Sequence, residues 1–308
     1  MKHVLVIGGS LFTGRVFTIF ASRNGGFDMH VINRGNHPME RERVTQYKCD
    51  RHAPQMMASL VPEIPYNALI DFCAYEPGDI STIIETLGNR INQYIYFSTA
   101  SVCLPGEGFL DESAPRLDIP KSDSNEVTAY IRKKIELEDE LIDACGAAGI
   151  NYTILRPTFI YGPFNYAPRE SYFIELIAKG LAVPVPSDST SRFNFCYVID
   201  IAHALMACIG NEKAYNDVFN LANDEILTYA RLMSEFERCN GKPFKMIEMT
   251  VAQADEEMIP LPFPLSGDTL TNGEKFVRTF EFCYTPFSQG IEKTFEIFHD
   301  LYTPQETI

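Results

Sequence analysis

Long hydrophobic runs are missing from the sequence, although 45% of its 308 residues are hydrophobic. No segment approaches the roughly 20 consecutive apolar residues that a membrane-spanning helix needs. An apolar strand already begins at His3 or Val4, so we expect no secretory leader. With 22% charged residues, this composition indicates a soluble globular protein and excludes a membrane-spanning one.

Positive charge is scarce as well. The sequence has 26 Lys and Arg residues against 41 Asp and Glu residues, and its formal net charge is −15. A surface of this kind repels nucleic acid unless it carries a local basic patch, and no Lys/Arg run supplies one. We therefore expect neither a nucleic-acid nor a membrane partner.

Paired cysteine spacing is also lacking. The eight cysteines are scattered, the closest two are Cys196 and Cys208, and no C-x-x-C occurs. This spacing predicts no structural zinc site and no other metal site. A reduced, cytoplasmic setting is the simplest interpretation.

The first fourteen residues hold the most informative segment. An apolar run, Val4–Ile7, leads into Gly8-Gly9-Ser10-Leu11-Phe12-Thr13-Gly14, and apolar residues then recur at helical spacing. A strand, a glycine turn and a helix in this order direct backbone N–H groups and a helix dipole to one point, where a pyrophosphate can bind. Gly8 can make the tight turn, and Gly14 can let helix and strand pack closely. The alternative is an ordinary strand-to-helix connection.

Strand candidates alternate with helical stretches through the first half of the chain. The strands are expected at 3–7, 30–33, 47–50, 68–72, 93–98 and 152–156, and crossover helices at 79–87 and 129–145. This alternation predicts a parallel, doubly wound α/β sheet, in which ligands bind beyond the carboxyl ends of the strands.

The end of the second strand lacks the acidic residue that binds a free 2′-hydroxyl in NAD sites. Asn33 and Arg34 stand there instead. Asn33 can bond a hydroxyl, and Arg34 can face a 2′-phosphate, or be a solvated surface arginine. The cofactor is therefore open between NAD and NADP. Asp50 can bond the adenine amino group or cap the next turn.

Two further strand ends carry small or hydroxyl residues. Small residues, Cys73 and Ala74, follow the fourth strand and would let a cofactor lie against the backbone. The fifth strand ends with the hydroxyls of Ser98, Thr99 and Ser101, which can also be an ordinary polar turn.

Tyr130 and Lys134 are four residues apart, so they share one face of a helix. A nearby ammonium favours the phenolate and lowers the tyrosine pKa, which makes a tyrosine a usable general base. The pair can equally be part of an ordinary helix face. An apolar stripe from Ile131 to Cys145 gives this helix a core-facing role, and Gly146 predicts its end.

Five segments in this order resemble the extended short-chain dehydrogenase/reductases, specifically their NAD-dependent epimerase/dehydratase group: 7–14, 97–102, 130–134, 156–163 and 194–202. The first is similar to T-G-G-T-G-F-I-G, the third matches Y-x-x-x-K, and the fourth is close to R-P-x-x-V-Y-G-P. The forms G-G-S-x-F-x-G and V-I-N-R-G further resemble a subgroup that includes the chloroplast stem-loop RNA-binding proteins.

The resemblance implies roles for residues at matching positions. Tyr130 would be the catalytic acid/base, Lys134 its partner and a ligand of the nicotinamide ribose, and Thr99 the group that bonds the reacting oxygen. The implied cofactor-binding residues are Gly8, Gly9, Ser10, Leu11, Phe12, Gly14, Asn33, Arg34, Asp50, Cys73, Ala74, Tyr130, Lys134 and Pro157. The implied substrate-binding residues are Ser101, Asn165 and Arg192.

The chain also departs from the family pattern. Leu11 stands at the middle glycine, Asn194 replaces an Asp, and Phe193 occupies the place of an Arg, with Arg192 one position away. That Arg often contacts a nucleotide-sugar phosphate, so the departure puts the substrate class in doubt. Ala100 stands where family dehydratases often carry Asp, which argues against dehydration. We interpret Asp200 as the N-cap of a helix over 201–209.

The resemblance predicts a Rossmann-like domain over 1–163 and 192–227 and a smaller, carboxyl-terminal substrate lobe over 164–191 and 228–308. It also suggests a homodimer formed by the helices at 79–87 and 129–145. The predicted function is NAD(P)-dependent epimerase/dehydratase chemistry on a sugar or nucleotide sugar. The alternatives are an NADPH-dependent carbonyl reductase and a cofactor-binding regulatory or RNA-binding protein with little turnover.

Overall fold

The computed structural model describes residues 1–303, without the side chain of Asn89. Its strands are β1 (Lys2–Ile7), β2 (Phe27–Asn33), β3 (Val44–Lys48), β4 (Ala68–Asp71), β5 (Gln93–Phe97), β6 (Phe109–Leu110), β7 (Asn151–Pro157), β8 (Phe159–Tyr161), β9 (Val183–Pro186), β10 (Arg192–Phe193), β11 (Phe195–Tyr197), β12 (Asp217–Leu221), β13 (Met246–Met249) and β14 (Asp268–Thr271). Its helices are α1 (Phe12–Asn24), α2 (Pro54–Leu60), α3 (Asp79–Leu87), α4 (Glu126–Ala148), α5 (Glu170–Ala178), α6 (Val198–Cys208), α7 (Tyr229–Asn240), α8 (Val251–Glu256), α9 (Glu274–Phe280) and α10 (Phe287–Tyr302). Within this described part, no helix combines the length and the apolar character that crossing a bilayer demands.

Seven parallel strands form the central sheet, in the order β12-β7-β5-β4-β1-β2-β3. β1 pairs with β2 on one side and with β4 on the other. The strand order therefore reverses at β1, and such a switch point leaves a crevice at the carboxyl ends of β1 and β4. The predicted Rossmann-like α/β fold is confirmed.

Alternate residues of β1 supply two hydrophobic cores, one on each face of the sheet. Val4 and Val6 pack in a core with residues of α1 and α6. Leu5 and Ile7 pack in a second core with residues of α2, α3 and α4. Because both faces are covered, the strands read as continuous apolar runs in the sequence.

The α4 helix is longer than its predicted range of 129–145. It begins after Asn125, whose side chain accepts hydrogen bonds from two backbone N–H groups, and it passes through Gly146. The helix ends before Gly149, which has a left-handed φ of 68°. The expected stop at Gly146 was wrong because a second glycine, three residues later, takes the conformation that closes a helix.

The predicted helix cap at Asp200 was also wrong. The α6 helix begins at Val198 after Tyr197, so Asp200 lies within its first turn. Its buried carboxylate accepts hydrogen bonds from the backbone N–H and the hydroxyl of Thr285, both at 2.8 Å. Asp200 thereby ties α6 to the segment that leads into α10.

The later part of the chain forms smaller sheets and a helical layer. β13 pairs with β9 and β14 lies between β10 and β6, while α10 packs against α5 and α7. Residues 194–224 return to the central sheet through α6, which packs on α1, and β12, which pairs with β7. The division into a domain and a lobe stays a prediction, and its last five residues, 304–308, lie outside the described residues.

Candidate functional site

A cleft of about 610 Å³ opens at the carboxyl ends of β1, β2, β4 and β5. Most of the residues predicted to form a site line it: Gly8, Gly9, Ser10, Leu11, Phe12, Gly14, Asn33, Arg34, Asp50, Cys73, Thr99, Tyr130, Lys134, Pro157 and Asn165. Side chains from distant parts of the sequence thus converge where the strand order reverses.

The glycine turn has the geometry that a pyrophosphate site needs. Gly8 and Gly9 have φ values of 97° and 70°, which favour glycine, and a Cβ on Gly14 would meet the Cα of Gly9 at 2.7 Å. Leu11 precedes α1 with extended backbone, and within residues 1–303 no side chain caps that helix start. The first N–H groups of α1 therefore remain available to an anion.

The structure distinguishes the two candidate residues at the end of β2, Asn33 and Arg34. Asn33 Oδ1 already accepts hydrogen bonds from the backbone N–H of Gly35 at 2.8 Å and from Gln46 Nε2 at 2.6 Å. The side-chain carbonyl oxygen of Asn33 is therefore already occupied by these two hydrogen bonds. Arg34 lines the cleft, and its side chain has no ion-pair or hydrogen-bond partner among the described residues. Asp50 both lines the cleft and caps a turn by accepting the N–H of His52 at 2.9 Å.

Lys134 is buried at the base of the cleft, with 3% of its surface exposed. Its Nζ donates to the carbonyl oxygens of Phe97 at 2.9 Å and Ala74 at 3.3 Å. An ammonium has three N–H donors, so one remains for a ligand in the cleft. Burial lowers the pKa of Lys134 to about 8, against the opposing effect of Asp71.

The pKa of Tyr130 departs from the prediction. Desolvation in the cleft raises this pKa above its ordinary value of 10.0, although the side chain is 42% exposed, and Arg169 opposes the rise. The ammonium of Lys134 lies 5.9 Å from the centre of the Tyr130 ring and is held by backbone carbonyls. The expected net lowering of the Tyr130 pKa by Lys134 is therefore absent in this structure.

The three hydroxyls after β5 have different surroundings. Ser98 is buried and donates to Glu138 Oε1 at 2.7 Å. Thr99 lines the cleft, and its Oγ1 accepts the N–H of Ser101 at 3.2 Å. Among the described residues this hydroxyl donates to no partner, so its hydrogen is available to a ligand. Ser101 is exposed and does not line the cleft. Thr99 is the hydroxyl available to a ligand there.

Two other predicted residues lie outside the cleft lining. Ala74 is fully buried and contributes its carbonyl to Lys134. Arg192 lies on β10, where its guanidinium forms a bidentate pair with Asp268 at 2.8 and 2.6 Å. Phe193, at the position of the expected Arg, is fully buried and stacks on Phe263 with ring centres 5.2 Å apart. The phenylalanine that replaces the expected Arg is therefore part of the aromatic core.

Cleft residues that the sequence analysis missed include Arg51, Tyr75, Tyr166 and Arg169. Arg51 is held between Asp71 and Asp79 at the foot of the cleft. Arg169 has its guanidinium 5.7 Å from the centre of the Phe159 ring. Their position in the sequence could have indicated Tyr166 and Arg169 as site residues. Both lie shortly after Tyr161-Gly162-Pro163, in the loop that follows a strand ending at the cleft.

The residues present fit a dinucleotide. The cleft offers a glycine cradle that a Cβ would fill, an uncapped helix start, a buried ammonium with a free donor and an unpaired arginine. These groups would contact the pyrophosphate, a ribose and an adenosine phosphate. Arg169, which also lines the cleft, would suit a second, anionic ligand.

Comparison with known proteins agrees with the resemblance found in the motifs. Residues 80–222 match the model of the NAD dependent epimerase/dehydratase family. This segment runs from α3 to the residue that follows β12, and it contains Thr99, Tyr130 and Lys134. Over these residues the resemblance found in the motifs is confirmed.

Individual relatives are distant. The chain is 27% identical over 259 residues to the chloroplast stem-loop binding protein of 41 kDa b of Arabidopsis thaliana, covering 79% of this chain and 64% of that protein. It is 24% identical over 174 residues to UDP-glucose 4-epimerase of Vibrio cholerae, covering 54% and 49%. The chain thus matches less than two thirds of the length of these relatives.

Among solved structures, UDP-glucuronic acid 4-epimerase from Bacillus cereus in complex with NAD superposes with a TM-score of 0.77. The match covers 98% of this chain and 100% of that chain at 16% sequence identity. At this identity the match shows the shared fold.

Proposed function

We propose that this chain, which carries the domain of the NAD dependent epimerase/dehydratase family over residues 80–222, is an NAD(P)-dependent enzyme that acts on a sugar or nucleotide sugar. The observation that carries the proposal is the meeting of Thr99, Tyr130 and Lys134 in one cleft with the glycine turn. A protein that only binds a dinucleotide has no need of a free hydroxyl and a phenol beside the ammonium.

Each of these side chains has a distinct chemical task. A bound nicotinamide supplies hydride transfer. Tyr130 holds or accepts the proton of the reacting hydroxyl, and Thr99 donates a hydrogen bond to the same oxygen. Lys134 uses its remaining N–H to orient a ribose.

The raised pKa of Tyr130 bears on the direction of the reaction. A phenol with a raised pKa donates a proton to a carbonyl oxygen at neutral pH. It accepts a proton from a hydroxyl only when added positive charge lowers its pKa. Arg169 supplies part of that charge, and the ligand-bound cleft must supply the rest.

The support for a nucleotide sugar is the charge and aromatic character of the cleft. Arg169 is a cation beside Tyr130, and Tyr166 is 73% exposed within the lining. A planar base or a sugar can pack on an aromatic ring, while a guanidinium binds a phosphate or carboxylate. The V. cholerae relative and the B. cereus structure are named for UDP-sugar epimerases.

The test is direct. Mass spectrometry of a denatured extract identifies a co-purified nucleotide, and NMR follows a panel of nucleotide sugars incubated with protein and NAD or NADP. We expect a new epimer that forms with wild type and not with Tyr130→Phe. If a folded, cofactor-loaded protein converts no nucleotide sugar in either direction, the substrate assignment fails.

A carbonyl reductase is the second candidate. The observations that favour it are the burial that raises the pKa of Tyr130 and the position of Arg34, which lines the cleft at the NADP position and has no partner among the described residues. Steady loss of NADPH absorbance with carbonyl substrates, and none of the epimer above, would select it.

We also propose a cytoplasmic homodimer paired through α3 and α4. The apolar stripe expected on α4 occupies two faces. Leu141 and Cys145 are buried against the sheet, while Ile131 and Ile135 are only partly buried and Ile142 is 38% exposed. Light scattering at micromolar concentration should give twice the monomer mass, and a monomer would reject the pairing.

A further inference from the structure

Three titratable side chains meet on the adjacent strands β1 and β2. His3 lies opposite Asp28 in the strand register, and His30 lies two residues further along β2 on the same face. The Nδ1 atom of His3 is 3.0 Å from Asp28 Oδ2, and the Nε2 atom of His30 is 3.4 Å from the same oxygen. Each residue offers one ligand atom, and the three atoms lie within 4.8 Å of one another.

His30 is the informative member. It is 94% buried, at 6% exposure, and within the described residues its Nε2 has no hydrogen-bond partner. The other ring nitrogen, Nδ1, is paired with the hydroxyl of Tyr47 at 3.0 Å. A buried polar atom without a hydrogen bond is costly, and this one lies 3.4 Å from the carboxylate oxygen of Asp28.

We infer that His3, Asp28 and His30 form a binding site for a divalent transition-metal ion of the zinc class. Two imidazoles and a carboxylate are the donors that zinc prefers, at about 2.0–2.2 Å from the metal. Ligand atoms at that distance in a tetrahedron are roughly 3.4 Å apart. The spacings of 3.0 and 3.4 Å around Asp28 Oδ2 are close to this value.

The surroundings suit a metal with one open position. The side chains of His3 and Asp28 are 37% and 28% exposed, so an ion can enter from solvent and keep a water ligand. Tyr47 can accept the Nδ1 hydrogen of His30, which fixes the tautomer with a lone pair on Nε2. The Tyr47 and His30 rings are nearly parallel, with an interplanar angle of 5°.

The site is separate from the cleft. Ile7 and Ile32 line the cleft. They lie four residues beyond His3 and Asp28, which is roughly 13 Å of strand, and Ile32 lies two residues, roughly 7 Å, beyond His30. Metal binding here would link β1 to β2 through three residues that do not line the cleft. We therefore expect a contribution to stability rather than to catalysis.

The experiment uses the whole chain, freed of metal with a chelator and then dialysed. Calorimetric titration with Zn²⁺ should give one equivalent bound per chain, with proton release that depends on pH. Co²⁺ should give the visible absorption of a four-coordinate site without a thiolate charge-transfer band. Zn²⁺ should raise the thermal midpoint of the wild type.

Substitutions locate the ion. His3→Ala and Asp28→Asn, both at partly exposed positions, should abolish the stoichiometric binding and the thermal shift, while each apo-variant still folds. Tyr47→Phe should weaken Zn²⁺ binding by roughly 10–100-fold, as expected for the loss of a group that orients a ligand. His203→Ala and Cys283→Ser, at exposed residues elsewhere, serve as matched controls that keep full binding.

Two results would overturn the inference. One is the absence of a saturable Zn²⁺ equivalent in the folded wild type. The other is unchanged binding in both His3→Ala and Asp28→Asn, which would assign the metal to another surface. Unchanged cofactor affinity in these variants is expected, because the site does not share residues with the cleft.

Discussion

Glu138 and Arg156 form a bidentate ion pair in the interior of the protein, with N···O distances of 2.8 and 2.6 Å. Their exposed fractions are 1% and 5%. Glu138 lies one turn beyond Lys134 on α4, and Arg156 begins the R-P-T-F-I-Y-G-P segment at the end of β7. The pair therefore links the helix that carries Tyr130 to the strand that carries Pro157.

Removal of one partner of this pair should be strongly destabilising. Glu138→Ala leaves the Arg156 guanidinium buried without its counter-charge, which costs about 3–5 kcal/mol in such cases. The measurement is the free energy of unfolding in urea. Glu76→Ala, which breaks the more exposed pair with Lys133, is the matched control and should cost at most about 1 kcal/mol. Equal effects of the two substitutions would contradict the role given to the buried pair.

Loss of the Tyr130 hydroxyl should remove turnover and spare binding. Tyr130→Phe keeps the ring, so cofactor affinity should persist while single-turnover hydride transfer falls by roughly 10²–10⁴-fold. Thr99→Val should lower turnover less, and Lys134→Met should impair both turnover and cofactor affinity. Absorbance of the reduced nicotinamide follows the reaction. Wild-type rates for Tyr130→Phe at every pH would show that Tyr130 and Lys134 only share a helix face and take no part in the chemistry.

Cofactor affinity should weaken as pH rises through about 8. Burial lowers the pKa of Lys134 from 10.5 to about 8, so the free protein loses this proton above pH 8 and with it the donor charge. A ligand that requires the ammonium must then restore the proton. Calorimetry at pH 9 in buffers of different ionisation enthalpy should show proton uptake on binding, and Lys134→Met should show none. A pH-independent affinity from pH 7 to 10 would mean that the ammonium takes no part in binding.

The fold was predictable because its signals are local. Apolar runs gave the strands of the central sheet, and Gly8 to Gly14 gave the first turn. The outcomes that differed depend on which of two nearby glycines ends a helix and on contacts between distant residues. Gly149 rather than Gly146 ends α4. Asp200 accepts a hydrogen bond from Thr285, which is 85 positions away. The pairs Arg192–Asp268 and Asp28–His3 likewise arise from strand register, which no residue spacing reveals.

Arg34 should set any preference for NADP. Its side chain has no partner among residues 1–303 and lines the cleft, whereas the Asn33 carbonyl is occupied by Gly35 and Gln46. Arg34→Ala should weaken NADP binding by roughly tenfold or more, about 1.4 kcal/mol or above, and change NAD binding little. Titration calorimetry with both nucleotides measures this. An equal loss for both would assign Arg34 to a general electrostatic effect.

Arg169 should control the ionisation of Tyr130. A guanidinium favours the phenolate, so its positive charge lowers the tyrosine pKa against the rise caused by desolvation. Arg169→Met removes that charge and should move the Tyr130 pKa, and any rate limb that depends on the phenolate, to higher pH. Arg169→Lys should restore part of the shift. The tyrosinate absorbance of each variant, minus that of the same variant carrying Tyr130→Phe, reports the pKa directly. Arg132→Met, which removes a cation from the same helix as Tyr130 but outside the cleft lining, should leave it in place. If Arg169→Met leaves the Tyr130 titration unchanged, the charge beside the phenol is not the group that tunes it.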